Sequence, residues 1–101
     1  MVESKNGTKN AVPQFKVNPD VIAQRMGNEV VLIHLRTNRI YELNRTAARL
    51  WELIKAGYDR AQIQQQMLQE FDVDQEQLAQ EIEALLSLLC AENLVSTHKE
   101  D

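Results

Sequence analysis

The side chains able to do nucleophilic or acid–base chemistry are few in this sequence and lie far apart in it. Cys90 falls near the end of a helical pattern, His34 in an apolar run and His98 in a polar segment. Covalent catalysis needs a nucleophile with a base held beside it, and no spacing links these three residues. Cys90 is interpreted as a small packed residue and His34 as a strand residue that bonds to a neighbour. We therefore predict no catalytic residue and no enzymatic activity.

Sites for phosphate, metal or paired acids also lack the residues they need. Gly7, Gly27 and Gly57 are too widely spaced to form a phosphate-binding loop. Glu81 and Glu83 are two positions apart on a predicted helix and point to different sides. One cysteine and two histidines fall short of an ordinary zinc set, and a lone cysteine cannot form an internal disulfide. The sequence predicts no cofactor and no metal.

Length and composition predict one small domain. The chain has 101 residues, of which 44% are apolar, enough for a modest core. No apolar run approaches the roughly 20 residues that span a bilayer, and the first ten residues lack the apolar centre of a signal peptide. We therefore expect a cytoplasmic protein without a membrane partner. Residues 1–12 are predicted to be a disordered tail, residues 13–96 the domain and residues 97–101 a polar C-terminal tail.

Residues 39–57 form the most informative segment, because they predict a strand, a helix cap and a helix with no linker between them. Residues 40–43 have the alternation and the β-branched and aromatic content of a half-buried strand. Asn44 is predicted to cap a helix that Gly57 ends. The apolar residues between them recur at i, i+3, i+4 and i+7 and predict one buried helix face: Ala47, Leu50, Trp51 and Ile54.

Two strands are predicted before this segment. Residues 21–26 form the first, and Gly27 and Asn28 are expected to supply the two positive φ angles of a tight hairpin turn. Residues 29–35 are apolar on both faces, which predicts a central strand covered on both sides. Residues 36–38 then turn the chain into an edge strand. For Phe15 and Val17 the sequence leaves open a short strand or simple packing on the core.

Two more helices are predicted after it. Asp59 caps a helix over residues 60–70, with an apolar stripe of Ile63, Met67 and Phe71. Asp74 and Gln77 match a capping box that opens a third helix to about residue 92. Its inner face is expected to carry Leu78, Ile82, Leu85, Leu86 and Leu89, and the chain then closes on the core through Leu94 and Val95. The order is βββααα, and the fold class is α+β with a three-stranded antiparallel sheet followed by three helices.

Residues 31–57 resemble the PqqD-like family, small domains that bind the leader segment of ribosomally made peptides and are also called RiPP recognition elements. The marks are a strand-turn-strand before Leu43-Asn44-x-Thr46-Ala47, then Leu50-Trp51, then a small residue and Gly57. The resemblance continues from Phe71-Asp72-Val73 to Val95. It implies a winged helix-turn-helix, with a leader docked antiparallel along the third strand in a groove beside the third helix.

An edge strand suits this mode of binding, because its unpaired amides and carbonyls can be completed by an extended peptide. The candidate peptide-binding residues are Arg39, Ile40, Tyr41, Glu42, Leu43, Leu78, Glu81, Ile82, Leu85 and Leu88. By the resemblance, Ile40, Tyr41 and Glu42 supply main-chain bonds. Leu78, Ile82 and Leu85 also fit the core, so the stronger helix candidates are Glu81 and Leu88.

The resemblance implies a non-catalytic protein whose partners are a precursor leader and a leader peptidase or other maturation enzyme. Tyr41-x-Leu43-Asn44 and Trp51 look more like the lasso-peptide members than the pyrroloquinoline quinone members, which stay the alternative. The loop over residues 36–39 departs from many relatives, because it has no glycine. This leaves the geometry of that hairpin open.

The charge distribution separates peptide binding from DNA binding, the usual role of a winged helix. Residues 1–49 carry eight Lys or Arg against four Asp or Glu, and residues 50–101 carry three against eleven, so the halves are +4 and −8. The third helix has no Lys or Arg, and phosphate would repel it. We therefore predict no nucleic-acid partner; a DNA-binding regulator and an adaptor unrelated to peptide maturation are the other hypotheses.

Overall fold

The strands of the protein form two antiparallel sheets, and its helices follow the larger one. The computed structural model describes residues 14–97. Its elements are β1 (Phe15–Val17), β2 (Val21–Met26), β3 (Glu29–His34), β4 (Arg39–Leu43), α1 (Arg45–Lys55), α2 (Arg60–Glu70), α3 (Gln75–Ala91) and β5 (Val95–Thr97). The larger sheet has the order β2-β3-β4, and β1 pairs with β5. The predicted α+β class is confirmed. The predicted tail over residues 1–12 lies outside the described residues, and so does the predicted tail over residues 97–101 except for Thr97, which belongs to β5 and pairs with Phe15.

Both hairpins of the larger sheet turn through one residue with a positive φ. Gly27 has a φ of 66°, but Asn28 does not share this conformation, so the predicted pair of positive φ angles is wrong. A positive φ at the first turn residue alone is the pattern of a type II′ turn. Asn38 has a φ of 61° in the second hairpin. Asn38 therefore adopts the left-handed conformation that glycine usually supplies in a turn.

The predicted caps Asn44, Asp59 and Asp74 are confirmed, but the capping box lies at Asp59 and not at Asp74, where it was predicted. Asn44 accepts a hydrogen bond from the Ala47 amide at 3.0 Å, and Gly57 follows α1 with a φ of 95°. Asp59 and Gln62 form a capping box at the start of α2. A Glu76 amide at 3.1 Å and a Gln77 amide at 3.2 Å donate to the Asp74 carboxylate and cap α3. Asn93, just after the end of α3, has a φ of 59°, the left-handed conformation that often ends a helix.

The core lies between the inner face of the larger sheet, β1 and the three helices. α1 is at its centre, since it contacts β1, β3, β4 and α2. The predicted apolar face of α1 is confirmed, and Trp51 retains only 2% of its exposure. Leu94 and Val95 are buried as predicted. The fully buried large side chains are Trp51, Leu32, Leu50, Ile63, Met67, Leu78, Ile82 and Leu94.

The outer face of the larger sheet is open, which contradicts the prediction that both faces of the central strand are covered. Val30 and Leu32 of β3 are buried, but Ile33 on the opposite face is only half-buried. Ile33 pairs directly with Ile22 on one side and with Ile40 on the other, and these neighbours are 48% and 65% exposed. The apolar pattern of β3 identified a central strand but not a second covering layer. We call Ile22, Ile33 and Ile40 the isoleucine row.

Candidate peptide-binding site

β4 is an edge of the larger sheet. It pairs with β3 from Val30↔Leu43 to His34↔Arg39, and none of the other described strands pairs with its free side. Side chains alternate along a strand, so Arg39, Tyr41 and Leu43 lie on the inner face of the sheet. The other two residues of β4 lie on the outer face. This edge has the unpaired backbone groups to which an extended peptide can bond.

One side of α3 lies on the same side of the molecule as this edge. Glu81, Leu85, Leu88 and Glu92 recur at i, i+4, i+7 and i+11, a spacing that places them along one line of a helix. Glu92, the C-cap of α3, contacts β4 directly. The line therefore meets β4 at its Glu92 end, and we call these four residues the α3 flank.

Three polar side chains join the start of β4 to the end of α3. The Tyr41 hydroxyl donates a 2.6 Å hydrogen bond to Oε1 of Glu92, and an Arg39 guanidinium nitrogen lies 2.9 Å from the same oxygen. The hydrogen bond from Tyr41 has the largest effect on the pKa of Glu92 and lowers it below its ordinary 4.5. Burial opposes this effect, and the Arg39 bond adds to it. The bond to Glu92 also raises the pKa of Tyr41. We call these residues the Arg39–Tyr41–Glu92 cluster.

The cluster closes one end of the space between β4 and α3. Away from Glu92, the α3 flank presents Leu88 and Glu81, both exposed, with Leu85 half-buried between them. Along its length the α3 flank is thus apolar in the middle, with carboxylates at Glu81 and Glu92. Such a surface can hold apolar side chains of a peptide strand that is paired to β4.

The ten predicted site residues fall into three classes of burial. Leu43, Leu78 and Ile82 are core residues with 6%, 1% and 0% exposure. Tyr41 and Leu85 are half-buried against the core. The exposed members are Arg39, Ile40, Glu42, Glu81 and Leu88. The structure joins β4 to the α3 flank at Glu92, and the predicted residues that are accessible at the surface are those of the last two classes.

Glu92 is the residue of this region that sequence reasoning missed. Its spacing of eleven from Glu81 and seven from Leu85 placed it on the same helix line. What the spacing did not show is the contact with Tyr41, which is 51 residues away in the chain.

The described residues that were considered for catalysis, His34 and Cys90, are buried or half-buried in the fold. His34 is 3% exposed, and its Nδ1 accepts a 3.3 Å hydrogen bond from the Arg36 amide. Cys90 is half-buried, and His98 lies outside the described residues. Between residues 14 and 97 no group of three His, Cys, Asp or Glu side chains is placed to hold a metal ion. Over the same residues, no helix has the length and apolar content needed to cross a bilayer.

A second pocket, between the β2–β3 turn, α1 and the end of α2, has five charged side chains, and four of them pair with one another. Arg49 donates two 2.7 Å hydrogen bonds to the carboxylate of Glu70, and Arg25 pairs with Glu52. The guanidinium of Arg45, also in this pocket, stacks on the ring of Phe71, 5.1 Å from its centroid. These contacts hold α1 to α2 and to the hairpin, so the pocket has a structural explanation.

Comparison with known proteins gives one family and two similar solved structures. The family model of coenzyme PQQ synthesis protein D (PqqD) matches residues 29–95, two thirds of the chain. The solved structure described as TbiB1 in complex with the TbiA(beta) leader peptide superposes with a TM-score of 0.78 at 25% sequence identity, covering 84% of this chain and 99% of that one. Lasso peptide synthetase B1 complexed with the leader peptide superposes with a TM-score of 0.75 at 23% identity, covering 82% of this chain and 98% of that one. A comparison with curated proteins found no match.

Proposed function

This chain belongs to the PqqD family, and from that membership we propose that it binds the leader segment of a ribosomally made precursor peptide. The leader adds to the larger sheet as a fourth strand beside β4, antiparallel to it. Its inward side chains then lie against the α3 flank. The observation that carries this proposal is the free β4 edge, which bonds through Arg39 and Tyr41 to Glu92 at the end of the α3 flank.

The proposed role is to supply affinity and position rather than chemistry. The described residues offer a binding edge, while His34 is buried and bonded to the Arg36 amide and Cys90 is half-buried on α3. A leader held here keeps the rest of its precursor at high effective concentration for a second protein. That protein is a leader peptidase or another maturation enzyme, and we place the encounter in the cytoplasm.

Lasso-peptide biosynthesis is the pathway class we favour. Both solved structures described above are leader complexes by their names, one of them of a lasso peptide synthetase subunit, and each is covered almost completely by this chain. Pyrroloquinoline quinone biosynthesis remains the alternative, because the family model that matches is named for that pathway.

The proposal is tested by direct titration of peptide and DNA. Labelled peptides would be made from the N-terminal segments of short reading frames beside the gene for this protein. Their binding would be followed by fluorescence anisotropy at two salt concentrations, with a duplex DNA of random sequence as comparison. We expect one peptide to bind with a modest dependence on salt, and its binding to shift the amide NMR signals of β4. Binding of DNA alone, with the steep salt dependence of phosphate contacts, would overturn the proposal.

A further inference from the structure

The isoleucine row runs across all three strands of the larger sheet and ends at the free edge. Ile22, Ile33 and Ile40 are direct cross-strand partners, so their side chains lie side by side on the outer face. Ile33 is half-buried between its two neighbours, whereas Ile40, which has a neighbour on one side only, is 65% exposed. A row that stops at an unpaired strand would be completed by one more strand.

Glu42 is next to Ile40 on the same face of β4. It pairs with Val31 and is exposed, and among residues 14–97 its carboxylate forms neither a hydrogen bond nor an ion pair. Exposed apolar residues on edge strands promote unwanted pairing between proteins, and edge strands usually avoid them. The free edge therefore presents an apolar side chain and an exposed carboxylate on the outer face, opposite to the face of Tyr41.

We propose that the outer face selects the leader through these two side chains, requiring an apolar residue opposite Ile40 and a Lys or Arg opposite Glu42. This inference rests on the proposed function, because it takes the leader to be a strand paired with β4. Directly opposed residues of two strands point to the same face and contact each other. The apolar side chain extends the isoleucine row, and the cation pairs with the carboxylate.

The geometry also orders these two residues along the leader. In an antiparallel pair the sum of opposed residue numbers is constant, so the residue opposite Glu42 comes two positions before the residue opposite Ile40. The leader pattern is therefore Lys or Arg, then any residue, then an apolar residue. The residue between them lies opposite Tyr41 and points to the inner face. One short peptide strand is thus read on its two faces by different parts of the protein.

The isoleucine row offers a matched pair of variants. Ile40→Thr and Ile22→Thr make the same change in the same row, both keep a β-branched residue, and both sites are exposed. Only position 40 would be beside the leader. We expect Ile40→Thr to weaken binding by roughly two- to fivefold, the size of a cross-strand pair, and Ile22→Thr to leave binding unchanged.

The charge contact is tested by a specificity switch. Phage-displayed random peptides would be selected on the wild-type protein and on Glu42→Lys, with Glu76→Lys, an exposed glutamate at the start of α3, as control. We expect Lys or Arg two positions before an apolar residue in peptides selected by the wild type and the control. Peptides selected by Glu42→Lys are expected to carry Asp or Glu at that position and to keep the apolar residue.

The possible outcomes distinguish failure of this inference from failure of the proposed function on which it rests. Peptides that shift the β4 amide signals but show no charge switch would overturn the inference and leave leader binding standing. Peptides that bind without affecting β4 would overturn both. If Ile40→Thr changes the mass measured by sedimentation and leaves peptide affinity unchanged, the row is covered by a second copy of the chain, which also contradicts the inference.

Discussion

A hydrogen bond between Tyr41 and Glu92 joins the edge strand of the larger sheet to the C-cap of α3. The hydroxyl of Tyr41 donates a 2.6 Å hydrogen bond to Oε1 of Glu92, across 51 residues of sequence. Arg39 bonds to the same oxygen at 2.9 Å. Because β4 and α3 are the two walls of the proposed groove, this contact holds the walls together at one end. It also leaves the Leu88 and Glu81 end open to a ligand.

The Glu92 carboxyl should titrate below its ordinary pKa of 4.5, because Tyr41 and Arg39 stabilise its charged form. A depressed folded-state pKa contributes stability above the unfolded-state value, and this stability is lost as the pH falls through the folded-state pKa. Tyr41→Phe should therefore raise the Glu92 pKa toward 4.5 and lower the stability of the protein above pH 4.5, and its difference from the wild type should disappear at acid pH. Carbon NMR of the Glu92 carboxyl measures the pKa, and an unchanged value in Tyr41→Phe would show that the bond is absent in solution.

Trp51 should be essential for folding rather than for binding. It is 2% exposed in the centre of the core, so Trp51→Ala should lower the free energy of unfolding by about 3–5 kcal/mol. Leu88→Ala, at a site that is 47% exposed, is the control and should change stability by about 0.5 kcal/mol or less. Urea denaturation followed by circular dichroism measures both. Near wild-type stability in Trp51→Ala would contradict the packing described above.

Glu81 should contribute an electrostatic part of leader binding. It lies on the α3 flank, and Glu81→Lys should weaken binding of a leader that carries Lys or Arg by up to about fivefold, the size of an exposed ion pair. The effect should shrink at high salt, because exposed charges are screened. Glu76→Lys makes the same charge change roughly 140° around the helix and should have no effect. A loss that is independent of salt would instead assign Glu81 a packing role.

The features that the sequence predicted are those with local causes. Asn44, Asp59 and Asp74 marked the helix starts, because a cap bonds to amides two or three residues away. The pairing of β1 with β5 was not predicted, because strands of three residues have little periodicity and their partners are some 80 positions apart. The open outer face was missed for a related reason. An apolar pattern shows which residues avoid water but not which layer covers them.

The binding site also has some features that the sequence predicted and one that it did not. The edge position of β4 followed from the order of strands and turns, and the candidates on α3 followed from helical spacing. The contact between Tyr41 and Glu92 depends on how α3 lies against the sheet. That arrangement comes from packing across the whole core, and no local pattern in the sequence determines it.

The most direct test of the account is to block the free edge of β4 without disturbing the fold. Proline lacks the amide that a pairing strand needs. It should be tolerated at whichever of Tyr41 and Glu42 points its amide away from β3, and not at the other. Ala23 and Gln24 of β2, at the opposite edge, provide the matched control.

The measurement is a leader titration by fluorescence anisotropy, with the fold of each variant confirmed by NMR. We expect the folded β4 variant to lose affinity by on the order of tenfold or more, and the folded β2 variant to bind as the wild type does. An unchanged leader affinity in the folded β4 proline variant would contradict strand addition at this edge.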